Sequence, residues 1–184
     1  EVLQDAQLQA RDFWVELAHP ELGTSFIYPG APYKFSETPW RLRRRAPLIG
    51  EHNEEVFKEL RGAAVQARKM AEVGPGRGSP QALHGLKVLD FTRVFAGPLM
   101  TKYLADFGAE VIKVESQVYL DVLRLSGPYT EGSPHPNRST PFLIANSSKM
   151  SLGLDMSKPG AVDIIRRLVS WADVVVETFA PGVM

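Results

Sequence analysis

Four short segments of the sequence follow predicted strands and carry side chains that suit a ligand site. They are residues 93–96, Ser116, residues 154–157 and residues 178–180. Ligands of open parallel sheets bind beyond the carboxyl ends of the strands, so these segments are expected to share one edge. A predicted helix that begins at Gly97-Pro98 would direct its N-terminal N–H groups to this edge, which suits a phosphate.

The first segment lacks the glycine pattern of a dinucleotide-binding enzyme. It reads Thr92-Arg93-Val94-Phe95-Ala96-Gly97-Pro98, with one glycine where G-x-G-x-x-G is needed. A pyrophosphate therefore cannot approach this backbone as it does in NAD enzymes. Glu115 ends the next strand, where NAD enzymes often keep an acid for the ribose. Without the glycines, that acid alone does not favour a nicotinamide dehydrogenase.

The sequence offers little for metal or nucleophilic chemistry. It has no cysteine and four scattered histidines, which argues against a metal site and excludes thiolate nucleophiles. No serine lies in a nucleophile-elbow context, so a serine hydrolase is not expected. Asp106 is expected to be solvated or to cap its helix, and the basic run at 41–45 is expected to be a solvated arm.

Composition places the chain among ordinary globular proteins. It has 184 residues, is 44% hydrophobic, and balances 21 Lys+Arg against 21 Asp+Glu. Because nucleic acid and anionic membranes attract a surplus of positive charge, neither is expected as a partner. The absence of cysteine fits a cytoplasmic protein. The chain does not begin with Met and ends in a loop-like Pro181-Gly182-Val183-Met184, so we expect a fragment cut at both ends.

Hydrophobic periodicity divides the chain into three segments. Residues 1–62 are predicted to form a hairpin, a proline-containing arm and a short helix capped by Asn53, which together cannot bury a core. Residues 63–83 are predicted to be a flexible linker, because three glycines and two prolines lie in residues 74–80. Residues 84–184 are predicted to form an α/β unit with a Rossmann-like parallel sheet and flanking helices.

Strands and helices are predicted to alternate along residues 84–184. The predicted strands are residues 87–92, 110–115, 151–155 and 174–177. The helix after the first strand is expected to bury Leu99, Met100 and Leu104. A later helix from about Pro159 to Ser170 is expected to begin at a Ser157 cap. Its predicted buried residues are Val162, Ile165, Leu168 and Val169. The stretch that follows the strand at 110–115 and contains Pro128, Pro134, Pro136 and Pro141 is expected to be loop-rich.

These motifs resemble those of family III CoA-transferases, the CaiB/BaiF group. The similar stretches occur in the family's order and spacing across residues 84–184, as in its N-terminal head. They are residues 86–98, 104–115, 121–124, 151–155, 172–177 and 181–184.

Residues 1–62 resemble the other end of the same family. The similarity lies in residues 19–23, 28–36 and 46–52 with Glu55-Val56, which match its C-terminal tail. A tail therefore precedes a head in this chain. The simplest explanation is a window across the junction of two tandem repeats, and a permuted gene or a fusion artefact is the alternative.

The resemblance implies a part of an enzyme that moves coenzyme A from acyl-CoA to a carboxylic acid acceptor, without a metal. In the family an aspartate carboxylate attacks the thioester to give a mixed anhydride, and that aspartate is expected outside this chain. The implied assembly is a homodimer or an intramolecular pairing of two repeats. The alternatives are an acyl-CoA racemase or lyase of the same family, and a non-catalytic structural repeat.

The resemblance also implies CoA contacts at the four strand-end segments. The implied residues are Val94, Phe95, Ala96, Ser116, Leu154, Asp155, Met156, Ser157, Thr178, Phe179 and Ala180. Formyl-CoA transferases have Gln at Phe95, Arg at Ser116, Lys at Ser157 and Asn at Thr178. Two basic partners for the CoA phosphates are thus missing here. Lys158, Lys149 and Arg124 are the candidates to replace them.

Overall fold

The computed structural model describes residues 1–62 and 81–184, which form an α/β structure. The predicted linker comprises residues 63–83. Residues 63–80 lie outside the described residues, whereas residues 81–83 are described. The latter belong to the folded part, because Gln81 is buried and the Leu83 N–H donates to the Phe107 carbonyl oxygen at 2.9 Å.

The first 62 residues contain the predicted hairpin and helix together with a short helix that was not predicted. Helix α1 (Ala6–Ala10) is capped by Asp5, and five residues are too few for a periodic signal. Strands β1 (Trp14–His19) and β2 (Thr24–Pro29) pair antiparallel. Helix α2 (Asn53–Gly62) follows the arm.

Four parallel strands form the predicted sheet. They are β3 (Lys87–Asp90), β4 (Glu110–Glu115), β5 (Met150–Gly153) and β6 (Val174–Val176). Their order across the sheet is β5-β4-β3-β6. The α/β class with a parallel sheet is therefore confirmed. Because all four strands run in one direction, their carboxyl ends lie at one edge.

Three helices connect these strands. They are α3 (Ala96–Asp106), α4 (Thr140–Asn146) and α5 (Ala161–Trp171). Helix α4 lies in the stretch that was expected to be loop-rich. Its signals are the Ser139 N-cap and Pro141 in the first turn, which the neighbouring prolines obscured.

The predicted buried face of α3 is only partly correct, because Leu104 packs against a buried cluster but the prediction for Met100 is wrong. Met100 is 45% exposed, whereas Thr101, Lys102, Ala105 and Asp106 are buried. Polar side chains are tolerated on this face because they are paired inside the protein, as Lys102 Nζ is with Asp106 Oδ2 at 2.5 Å. The expectation that Asp106 is solvated or caps its helix is therefore also wrong. Burial raises the pKa of Asp106, and the Lys102 ammonium opposes that shift.

The start and the buried face of α5 also differ from prediction. Gly160, at a φ of 83°, precedes the helix, and the Ser157 hydroxyl donates to Asp155 instead of capping it. Leu168 is fully buried, but Val162 and Val169 are 56% and 45% exposed. The helix therefore contacts the sheet along a narrower face than its apolar residues suggest.

Residues 1–62 complete the core beneath one face of the sheet. Val56 and Leu60 of α2 join a buried cluster with strand residues such as Leu89 and Ile112 and with Leu168 of α5. The strand neighbours Val88 and Val111 point to the opposite face, where they pack with Ala105 and Ala109. The sheet is thus covered by helices on both faces, with α2 from the first segment and α3 on the other side.

A second buried cluster joins the hairpin to residues 123–145. Tyr28 and Ala46 pack against Leu123, Phe142 and Leu143. The segment that looked like an unsupported hairpin and arm therefore shares an apolar core with the later part of the chain.

Residues 50–53 cover the free edge of β5. The His52 N–H donates to the Ser151 carbonyl at 3.1 Å, and the Gly153 N–H donates to Asn53 Oδ1 at 2.7 Å. Asn53, expected as an N-cap, thus bonds across to the sheet. A Cβ on Gly153 would lie 3.3 Å from the Gly50 Cα, so the close approach favours glycine here.

The basic run at 41–45 is only partly the solvated arm that was expected. Arg41 and Arg44 are exposed, but Arg45 pairs with Glu21 and Glu51 at 2.7 and 2.8 Å. Arg43 donates to the Ala105 carbonyl at 2.9 Å. Through these contacts the run holds the arm against the rest of residues 1–62 and against residues 84–184. Within residues 1–62 and 81–184, no helix has the length and apolar character needed to cross a membrane.

The docking of α2 predicts that a change in the first segment destabilises the whole structure. Leu60→Ala removes buried methyl groups from the cluster under the sheet and should lower the free energy of unfolding by about 2–5 kcal/mol. The control Lys58→Ala, on the exposed side of α2, should change it by less than about 0.5 kcal/mol. Urea unfolding followed by tryptophan fluorescence measures both, and equal stabilities would show that α2 is not part of the core.

Candidate functional site

Two connected clefts lie at the carboxyl edge of the sheet. The first, called the strand-end cleft, contains the predicted residues Ser116, Leu154, Met156 and Phe179. The second, called the loop cleft, contains the predicted residues Val94, Phe95, Ala96, Thr178, Phe179 and Ala180. Arg93 and Phe179 line both clefts, so the two linings are connected through these residues.

Two of the predicted contact residues lie outside both linings. Asp155 and Ser157 follow β5, and the Ser157 hydroxyl and N–H both donate to the Asp155 carboxylate, at 2.7 and 3.0 Å. These bonds lower the pKa of Asp155. The two residues form a local turn that borders the site through its neighbour Met156.

The backbone of the loop between β3 and α3 is strained at Val94. Its φ is 67°, a left-handed value that a β-branched residue adopts only when its surroundings impose it. The Arg93 N–H donates to Thr178 Oγ1 at 3.0 Å, and the Val94 N–H donates to Asp121 Oδ1 at 3.2 Å. The Arg93 guanidinium also donates to the Leu120 carbonyl. These three bonds hold the loop in one conformation between the two clefts.

Asp121 is the buried anchor of that loop. Besides Val94, its Oδ1 accepts from the Leu123 N–H at 3.1 Å, and its Oδ2 lies 3.3 Å from the Lys113 Nζ. Lys113 also donates to the Thr92 carbonyl at 2.7 Å. Sequence reasoning did not select Asp121 as a site residue, although it lies in the motif at 121–124. Its role depends on a contact across 27 residues of chain, which no local pattern reveals.

Asp90 fixes the turn that leads into the same loop. Its Oδ1 accepts from the Thr92 N–H at 2.8 Å, and its Oδ2 accepts from Thr101 Oγ1 at 2.7 Å and Lys149 Nζ at 2.9 Å. Burial alone would raise the pKa of Asp90, but the ammonium groups of Lys149 and Lys113 and the hydroxyl donors outweigh it and lower the pKa to about 2. The carboxylate is therefore charged, buried and fully engaged.

Gly97 allows α3 to begin close to β6. A Cβ at this position would lie 2.7 Å from both Thr178 Cγ2 and Thr92 Cβ. Any larger residue would push the start of α3 away from the end of β6. The single glycine of this loop therefore serves close packing between site segments.

Two cations expected to face the CoA phosphates are inside the protein instead. Lys149 is fully buried and donates to Asp90, and burial lowers its pKa to about 8. Arg124 is buried and binds Glu115, with Nε 2.8 Å from Oε2. The expectation for both is wrong, because each satisfies a buried carboxylate. Glu115 lines the strand-end cleft, and Arg124 holds its carboxylate. Lys158 is exposed beside the site.

Three buried aspartates are held inside the protein by ion pairs or hydrogen bonds. Asp90, Asp106 and Asp121 are each buried and bonded. Over residues 1–62 and 81–184, no group of three His, Cys, Asp or Glu side chains is placed to hold a metal ion. Arg93 stacks over the Tyr119 ring at 4.6 Å, which places a cation and an aromatic ring at the mouth of the strand-end cleft.

Comparison with known proteins decides the family. The model of CoA-transferase family III matches residues 1–53 and 83–184. The chain belongs to CoA-transferase family III. This confirms the predicted resemblance to family III CoA-transferases. A crystal structure of a CaiB/BaiF family protein from Brucella suis is 40% identical, covers 54% of this chain and 26% of that chain, and superposes with a TM-score of 0.46.

Curated relatives of this family III chain are CoA-transferases. Succinyl-CoA:glutarate CoA-transferase of Homo sapiens is 44% identical over 100 residues, which are 54% of this chain and 22% of that protein. Formyl-CoA:oxalate CoA-transferase of Afipia carboxidovorans is 40% identical over 104 residues, 56% of this chain and 24% of that protein. The chain thus spans about a quarter of the length of the curated relatives it matches.

The strained loop predicts a specific effect of removing its anchor. Asp121→Ala leaves the Val94 N–H without its acceptor, so the loop should open more often and its amides should exchange with solvent at least about tenfold faster. The control Asp163→Ala removes an exposed carboxylate from α5 and should leave that exchange unchanged. Hydrogen exchange resolved by residue measures both variants. Unchanged exchange at residues 93–96 in Asp121→Ala would contradict the anchoring role.

Proposed function

We propose that this chain forms the CoA-binding edge of an enzyme that transfers coenzyme A from an acyl-CoA to a carboxylic acid. The proposal is carried by the agreement between the family resemblance and the position of the same residues in the structure. The residues that the family resemblance implies for CoA contact are the residues that follow the strands at one edge of the sheet. Nine of the eleven line two connected clefts there.

The two clefts divide the proposed ligand by polarity. Arg93 and Ser116 lie along the strand-end cleft and are proposed to face the nucleotide and its phosphates. Lys113 also lines this cleft but is buried and paired with Asp121. The loop cleft has Arg93 as its one charged lining residue and is otherwise lined by uncharged side chains, which suits the uncharged pantetheine arm. The pantetheine arm of CoA then runs along the loop at 93–96. The buried bonds of Asp90 and Asp121 hold that loop, which reduces the cost of ordering it on binding.

The proposed chemistry is covalent catalysis by an aspartate that another part of the protein supplies. Its carboxylate oxygen attacks the thioester carbonyl, the carbon–sulfur bond breaks, and CoA leaves as a thiolate while a mixed anhydride forms. The thiolate later attacks the activated acceptor acid to form the new thioester. The residues of this chain hold CoA during both steps. No buried aspartate described above is free for the first step.

The tail-before-head order supports a tandem arrangement of two family III repeats. Residues 1–62 and the later part share two apolar clusters, so the tail of one repeat would complete the sheet domain of the next. The proposed assembly is therefore an intramolecular pair of repeats or a homodimer. The lack of cysteine supports a cytoplasmic location.

One observation favours a second candidate, a structural repeat that does not bind CoA. Ser116 and Ser157 stand where formyl-CoA transferases have Arg and Lys, and the nearby cations Lys149 and Arg124 are buried in ion pairs. Such a repeat would serve only to complete the fold of its catalytic neighbour. Calorimetric titration of CoA into the chain separates the two candidates, since a structural repeat gives no heat of binding.

Restoring the missing cations predicts tighter binding. The double variant Ser116→Arg, Ser157→Lys should bind CoA at least about tenfold more tightly, because a charge-assisted hydrogen bond contributes roughly 1.5–3 kcal/mol. The matched control Ser133→Lys, Ser170→Arg adds the same charge at exposed positions outside both clefts. Calorimetry measures all three proteins. Equal affinity in the site variant and the control would show that these positions do not face the CoA phosphates.

A further inference from the structure

The loop cleft is lined by apolar side chains that are exposed to solvent. The exposed fractions of Val94, Phe95 and Val122 are 56%, 45% and 47%, although side chains of these types usually pack inside a protein core. Ala96 and Ala180 complete the wall. Exposed apolar groups on one concave surface favour an apolar ligand, because contact removes their surface from water.

The same cleft has no free cation among its described lining residues. Arg93 is the one charged side chain in that lining, and its guanidinium donates to the Leu120 carbonyl and stacks on the Tyr119 ring. Both of these contacts belong to the strand-end side. A carboxylate placed in the loop cleft would therefore lose water without gaining an ion pair, which is unfavourable.

The two clefts adjoin and differ in the charged residues that line them. The strand-end cleft has Lys113, Glu115 and Asp121 in addition to Arg93, whereas Arg93 is the one charged residue of the loop cleft lining. Arg93 and Phe179 line both, with Lys113 and Ser116 on one side and Phe95 on the other. An acyl-CoA has the same division, with a charged nucleotide at one end and the acyl group at the other.

We propose that the loop cleft binds the acyl group of the substrate and selects an apolar acyl chain over one that ends in a carboxylate. This inference rests on the proposed CoA-binding function. It departs from the relatives, whose names specify succinyl, glutarate, formyl and oxalate substrates. Phe95 is the residue that determines the preference, since it is the largest exposed apolar side chain in the wall.

Hexanoyl-CoA and adipoyl-CoA provide a matched test, because both acyl chains have six carbons and only adipoyl ends in a carboxylate. Calorimetric titration of the 184-residue chain with CoA and with each thioester gives three affinities. Hexanoyl-CoA should bind at least about tenfold more tightly than adipoyl-CoA, and more tightly than CoA itself. Phe95→Gln should reduce the hexanoyl-to-adipoyl ratio by at least about threefold.

Two further variants make the assignment specific to this cleft. Met100→Gln changes an exposed apolar residue of α3 outside the lining and should leave the ratio unchanged. Val122→Asn changes a second exposed wall residue and should lower the ratio, which gives an independent reading if Phe95→Gln does not fold.

The outcomes distinguish this inference from the function on which it rests. If the chain binds CoA but binds hexanoyl-CoA no more tightly than adipoyl-CoA, the acyl preference is overturned and the CoA-binding function stays in place. Absence of binding by CoA and both thioesters would overturn the two together. A ratio that falls equally in Met100→Gln and Phe95→Gln would place the acyl group outside this cleft.

Discussion

A four-stranded parallel sheet must be covered on both faces, and the rest of this structure follows from that constraint. Alternate residues of β3 and β4 point to opposite sides, so Leu89 and Ile112 need one cover and Val88 and Val111 another. Helix α3 packs on one side, and α5 with α2 packs on the other. Because α2 belongs to residues 1–62, the first segment is a structural part of the domain that carries the site.

The carboxyl edge left open by this packing is organised by buried charges. Asp90 with Lys149, and Asp121 with Lys113, place ion pairs directly beneath the loop at 93–96. Burying ions costs solvation energy, which is recovered only when geometry and hydrogen bonds are good. In this protein the hydrogen bonds of these buried groups hold Val94 in its left-handed backbone conformation. The buried ion pairs therefore also preorganise the ligand loop.

The sequence predicted the parallel sheet well, because its strands are apolar runs separated by helical patterns. It failed where tertiary pairing overrides periodicity. Asp106 was expected to be solvated or to cap its helix, yet it is buried and paired with Lys102. The conformation of Val94 and the anchoring by Asp121 depend on contacts distant in sequence, so no local pattern indicates them. Lys149 and Arg124 were candidates to replace the missing phosphate partners because of their charge, but their buried carboxylate partners could not be read from the sequence.

The candidate site likewise combines features that local sequence predicts with features that depend on contacts between distant segments. The four strand-end segments could be named from the order of strands, because parallel strands share a carboxyl edge. The two clefts and the exposed apolar wall of the loop cleft could not be predicted, since they arise from side chains of several loops that meet only in the folded chain. Val122 joins the apolar wall from a stretch that the sequence marked as loop-rich.

An NMR titration of the isotope-labelled chain with CoA tests the central claim most directly. The account predicts that the largest amide shifts fall in residues 93–96, Ser116 and residues 178–180, with small shifts in the β1–β2 hairpin. Shifts that are absent, or that are largest in the hairpin or α2, would contradict the claim that the carboxyl edge of the sheet holds coenzyme A.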